Sequence, residues 1–150
     1  MATNAKPPPN TDLSADEAFE IADEMMDAAT EVFHRRRDAP NLSQTEIEEL
    51  NRQEMALRYD SDRYRAVGIR LLADDGSVTA QSLKDRITET NKALDKIKKL
   101  HNFLTVLASL VEFGAAIAGG NVKTIYAAGK KVDKATKAAQ KDEKVGGGGT

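Results

Sequence analysis

The chain has no cysteine and no tryptophan, and its aromatics are four phenylalanines and three tyrosines in 150 residues. Without thiols, disulfides and thiolate metal sites are excluded. So few aromatics leave little surface on which nucleic-acid bases could stack. Three of the four prolines are Pro7, Pro8 and Pro9 and the last is Pro40, so the rest of the chain lacks the strongest helix breaker. With two histidines, general acid–base and metal chemistry have few candidate groups. The opening "MATNAKPPPNTD" holds one lysine and no apolar run, which is unlike a Sec-type signal peptide. It reads as a flexible leader over residues 1–12, and "KVGGGGT" reads as a flexible tail within residues 143–150. Location is expected to be cytoplasmic, or secreted by a route that needs no signal peptide.

Alanine, leucine, lysine and the acids dominate, a composition that favours helices, and the length suits one domain. The net charge of −2 conceals a gradient. Residues 1–50 carry twelve acids and four bases, residues 51–100 eight and eleven, and residues 101–150 four and seven. The simplest expectation is an acidic first helix lying beside basic later ones. Bases interleave with acids and no basic patch carries aromatics, so no nucleic-acid partner is predicted.

The helix punctuation is clear. Ser14 followed by Glu17, and Ser43 followed by Glu46, are capping boxes, the second with Leu42 and Ile47 as a hydrophobic staple. Ala18, Ile21, Ala22, Met25, Ala28, Ala29 and Val32 form one apolar face, closed by Arg35, Arg36 and Arg37. Leu50, Leu57, Tyr64 and Leu71 recur every seventh residue as a coiled-coil-like seam, weak at Glu54, Ser61 and Gly68. From Leu83 the apolar positions alternate by four and three through Ile87, Thr90, Leu94, Ile97, His101, Leu104, Ala108, Val111, Ala115 and Ala118. That register predicts one helix of about 60 Å, ended by Gly119, Gly120 and Asn121. The predicted helices are 14–37, 43–75, 79–118 and 121–141. Short loops make neighbours antiparallel. The unequal lengths then give an all-α antiparallel four-helix bundle from which helices two and three protrude as a long coiled-coil hairpin over residues 62–99.

Residues 102–121, "NFLTVLASLVEFGAAIAGGN", are the most apolar stretch. Phe103, Leu104, Leu107, Leu110, Val111, Phe113 and Ile117 are expected to form the buried spine of the bundle. Glu112 argues against a membrane span, since an acid at the bilayer centre costs about 2.5 kcal/mol or more. The small residues from Gly114 to Gly120 would nevertheless allow close helix packing in lipid. His101 on the seam, with Glu112 beyond it, is the candidate pH switch: protonation near pH 6 would loosen the bundle.

Chemistry-bearing motifs are sparse. Glu31 and His34 make a single E-x-x-H, but Lys98 stands where His101 would need its glutamate, so no di-metal site is predicted. Asp74, Asp75 and Gly76 suit a turn better than a calcium loop. Neither "GGGGT" nor "AGGNVK" has phosphate-loop spacing. No nucleophile, base and acid can be assembled, so no enzyme and no cofactor are predicted. The expected working surface is the hairpin, with Arg63, Arg65, Val67, Ile69, Arg70 and Leu72 contacting another protein or a second copy. The implied function is a non-enzymatic adaptor, chaperone or assembly subunit, of the kind used in secretion or phage-like machines. The alternative is a small secreted or membrane-active helical protein that inserts the 103–132 hairpin as pore-forming proteins do.

Overall fold

Five helices succeed one another in the computed structural model, which describes residues 12–72 and 76–148: α1 Ala15–Asp38, α2 Gln44–Val67, α3 Ala80–Lys96, α4 Leu100–Gly119 and α5 Val122–Gly148. Residues 1–11 of the expected leader, Asp74 and Asp75, and the last two residues of the tail lie outside the described residues.

The helix starts are set locally. Ser14 and Glu17 cap one another reciprocally at α1, as do Ser43 and Glu46 at α2 and Thr79 and Ser82 at α3. Each box satisfies two backbone N–H groups that the first turn leaves without partners. At α5, Asn121 Oδ1 accepts from the Thr124 N–H at 3.1 Å. The predicted apolar face of α1 is buried from Ala18 to Val32.

α1 packs on α2 and α3, α2 also on α4, and α5 on α4 and α3. The result is an all-α helical bundle. Phe103, Leu107, Leu110, Phe113 and Ile117 are fully buried, while Leu104 and Val111 are partly buried against the same core. Burying each of the larger side chains is worth about 1.5–3 kcal/mol. The polar side of the α2 seam also turns inward. Ser61 donates to the Ala22 carbonyl at 2.8 Å, and Glu54 is held by Arg36 and by Arg58, the latter at 2.8 Å.

Three sequence expectations are corrected. First, α2 ends at Val67 and not near residue 75, because Gly68 takes a positive φ of 76° and closes the helix. The chain then runs extended through Ile69–Leu72: Leu13 N–H donates to the Ile69 carbonyl at 2.8 Å, and Leu72 N–H to the Gly120 carbonyl at 2.6 Å. Ile69 and Leu71 enter the core from this connector. Secondly, the continuous third helix is two helices. Ile97 is extended and caps α3, and Lys99 is extended before α4. Arg35 of α1 donates to the carbonyls of Ile97, Lys98 (3.2 Å) and Leu94 (3.4 Å), and Glu143 of α5 accepts the N–H groups of Lys98 and Lys99. The groups freed by the break thus find partners on other helices, as burial demands. Thirdly, with both long helices interrupted, no two-helix stalk forms, and α3 lies along α1. At the other terminus α5 extends past the expected residue 141 to Gly148.

The break also rephases α4. Asn102 and Phe103 are buried, whereas His101 is 73% exposed in its side chain, 3.6 Å from the Asp142 carboxylate. The seam position expected for His101 is therefore outside the core.

Candidate functional site

One end of the bundle gathers the α2 C-terminus, the 68–72 connector, the α4–α5 turn and the first turn of α5. Gly120 makes this convergence feasible. Its φ of 77° suits glycine, and a Cβ there would collide with the Arg70 carbonyl. Val122 then donates its N–H to the Leu72 carbonyl at 3.4 Å, which fastens the connector to the start of α5.

Three large apolar side chains face solvent on these segments: Val67 at 75% exposure, Leu72 at 45% and Tyr126 at 48%. Tyr126 lines a shallow depression with Ser77, Val122 and Lys123. Basic groups surround them. Arg63, Arg70 and Lys123 are exposed; Arg70 lies 3.5 Å from Asp12, and Arg65 pairs with Asp23 while lying 5.9 Å over the Phe19 ring. Lys130 sits 4.5 Å from the Tyr126 ring centroid. Of the six residues expected to meet a partner, five are thus exposed at this end, and Ile69 is buried as part of the fold. Tyr126 and Lys123 were not foreseen. The available signal was an aromatic off the apolar face of the last helix.

A second feature is an open groove of about 580 Å³ between α1 and α3, lined by Glu24, Asp27, Thr30, Glu31, His34, Thr88, Asn91, Lys92 and Asp95. Burial raises the Glu31 carboxyl above the ordinary value, and the adjacent Asp95 carboxylate raises it further. Asn91 donates to the Glu24 carbonyl at 2.9 Å. Glu31 and His34 both line the groove, and the His34 and Phe33 rings stand at 68° to one another with centroids 5.7 Å apart. Among the described residues, no group of three or more histidines, acids or cysteines is placed to hold a metal ion.

Among the described residues, one of the two buried acids has no ion pair. Asp60 is buried between α2 and α4, and a Cβ placed on Gly114 would lie 2.7 Å from its Oδ2. Burial pushes its pKa up to about 6, only partly offset by Arg63. Beside it, burial and then the Asp60 charge push the Tyr64 phenol well above its ordinary value.

α4 is the one described helix long and apolar enough to cross a membrane by length and composition. Its apolar side faces the other helices, and Glu112 on its outer side pairs with Lys131 at 3.0 Å. No protein-family model, no curated protein and no solved structure matches this chain.

Proposed function

We propose that the protein is a non-enzymatic helical interaction module, an adaptor, chaperone or assembly subunit, that docks a partner protein through the apolar end of the bundle. The observation that carries this reading is the exposure of Val67, Leu72 and Tyr126 on three segments drawn together there, within a basic surround. Large apolar groups clustered on a surface and rimmed by charge fit a protein contact. The complementary partner surface is apolar at its centre with carboxylates at its edge.

A photo-crosslinking residue at position 67 or 126, in the cells that make the protein, tests this. The expected result is one discrete protein adduct from both positions and none from position 44, on the exposed opposite end of α2. Adducts only to lipid, or none at either position, would overturn it.

A second reading rests on the length and composition of α4. Ala108, Ala115 and Gly119 lie on its exposed side, the kind of small surface along which helices associate in lipid. In this reading the α4–α5 hairpin leaves the bundle and enters a membrane. Flotation with liposomes at pH 7.5 and pH 5 separates the two, since only the second predicts co-migration with lipid. The first is favoured because Phe103, Leu107, Leu110, Phe113 and Ile117 are already covered by protein.

A further inference from the structure

The charge gradient along the sequence is not cancelled by packing the acidic helix against the basic one. Seven acids and no base lie from Asp16 to Glu31 in α1, and six lysines with the single acid Asp133 lie from Lys123 to Lys141 in α5. α1 packs on α2 and α3, and α5 packs on α4 and α3, so α3 stands between them.

What each helix shows to solvent is a row. Asp16, Glu20, Asp23 and Asp27 are all exposed on α1, and Lys130, Lys134, Lys137 and Lys141 are all exposed on α5. Both rows step by four, three and four residues, which keeps the members on one helical face, and each extends about 16 Å at 1.5 Å per residue. Because that spacing is a palindrome, the rows match with the helices parallel or antiparallel. Glu20 is met by Lys84 at 3.3 Å and Asp23 by Arg65, both at the surface, while Asp16 and Asp27 have no ion pair among the described residues. Lys134, Lys137 and Lys141 likewise have none. Ala127 and Ala138 beside the lysine row are exposed and small, so a second helix can approach closely. Beside the acid row, the groove between α1 and α3 adds Glu24, Glu31 and Asp95.

We infer that the protein associates with further copies of itself head to tail, the α5 lysine row of one copy lying along the α1 acid row of the next. Each contact uses two different surfaces and leaves one of each kind free, so the contact propagates into a ring or an open chain. Exposed charges hold it together, so it is weak and sensitive to salt. Lys130 lies against Tyr126 and Asp23 pairs with Arg65, so the rows adjoin the apolar end. Salt and charge reversal read the row contact alone, and crosslinking from positions 67 and 126 reads docking. Failure of the first therefore leaves the docking proposal standing.

Sedimentation velocity of the full chain at about 0.05 M and about 0.5 M salt, with two charge-reversed variants, tests the inference. One variant carries Lys130→Glu and Lys137→Glu; the other carries Asp16→Lys and Asp27→Lys. Circular dichroism checks that both remain helical, and Glu48→Lys on α2 serves as a control away from both rows. The wild type and the control should exceed monomer mass at low salt, with affinity falling at least roughly tenfold at high salt. Each reversed variant alone should be monomeric, and an equimolar mixture should associate again, because the lysine-reversed copy keeps its α1 acid row and the acid-reversed copy keeps its α5 lysine row. A wild type that stays monomeric at low salt overturns the proposal. So does association that survives both reversals, or a mixture that fails to restore it. Vesicles of anionic phospholipid form a further arm: if a monomeric wild type binds them and the lysine-reversed variant does not, the row reads lipid and not a second copy.

Discussion

The Tyr64 hydroxyl donates to the main-chain carbonyl of Gly114 at 2.5 Å, a buried bond between residues 50 positions apart that fastens α2 to α4. The contact depends on glycine. A Cβ at position 114 would lie 2.7 Å from Asp60 Oδ2 and 3.1 Å from Met25 Cε. Gly114→Ala should therefore destabilise the fold by about 1–3 kcal/mol, the usual cost of forcing volume into a packed site. Tyr64→Phe, which removes only the hydroxyl, should cost about 1 kcal/mol. Urea denaturation of both variants checks the order. An alanine variant as stable as the wild type would mean that the two helices are not in close contact here.

Asp60 next to that bond predicts an unusual pH dependence. Its folded pKa of about 6 stands above the unfolded value of about 3.9. The neutral form is therefore favoured in the fold, the stability it confers is fully present below about pH 4, and it is lost as pH rises through 6. The difference is worth about 3 kcal/mol. Asp60→Asn should leave stability near pH 4 unchanged and raise it by up to about that amount at pH 8. This sign is the reverse of the acid trigger expected from His101, whose side chain lies outside the core. Denaturant midpoints that show no gain for the variant at pH 8 would refute it.

At the acid end Glu54 acts in the opposite direction. Burial alone would raise its pKa, but the hydrogen bonds and charges of Arg36 and Arg58 outweigh burial and hold it below the ordinary value. Its contribution is present above the unfolded pKa of about 4.3 and disappears as pH falls through the lower folded value. Glu54→Gln should cost about 1–3 kcal/mol at pH 7, since it leaves Arg36 without its carboxylate, and the gap to wild type should narrow below about pH 4. Thermal melts from pH 3 to pH 7 measure it.

Arg35 predicts the fate of the α3–α4 break. Its guanidinium binds the carbonyls of Leu94, Ile97 and Lys98 and lies 4.3 Å from the centroid of the Phe103 ring. Arg35→Ala should cost about 2–4 kcal/mol, because it leaves the end of α3 without donors. Arg35→Lys should recover little of that, since an ammonium cannot reproduce a flat fork reaching several carbonyls while stacked on a ring. Hydrogen exchange should quicken first at residues 97–103. Equal protection in the lysine variant would show that charge alone is sufficient.

The end of the bundle proposed for docking was partly legible in the sequence. Val67 and Leu72 stood out because they lie off the seam of the second helix, and both are exposed. Ile69 looked the same by that criterion and is buried, because Gly68 turns the chain and sends residues 69–72 along a new direction. Tyr126 joins the cluster from a helix far along the chain, a proximity no local pattern encodes.

The sequence by itself determined where α1, α2 and α3 begin and which side of α1 and α3 is buried. Capping boxes act between residues three apart, and an amphipathic face follows from helical spacing, so both are complete within a single segment. The helix ends at Val67 and Lys96 were decided elsewhere. "DKIKKLHN" contains no proline or glycine, and its apolar spacing runs on without a fault. A helix there can stop only if its orphaned carbonyls and amides find other partners. Those partners are Arg35, 62 residues before Ile97, and Glu143, 45 residues after Lys98. The connector after Gly68 likewise persists because Leu13 and Gly120 complete its hydrogen bonds. Side chains and backbone from distant segments thus decided that two long helices and a stalk became a closed bundle.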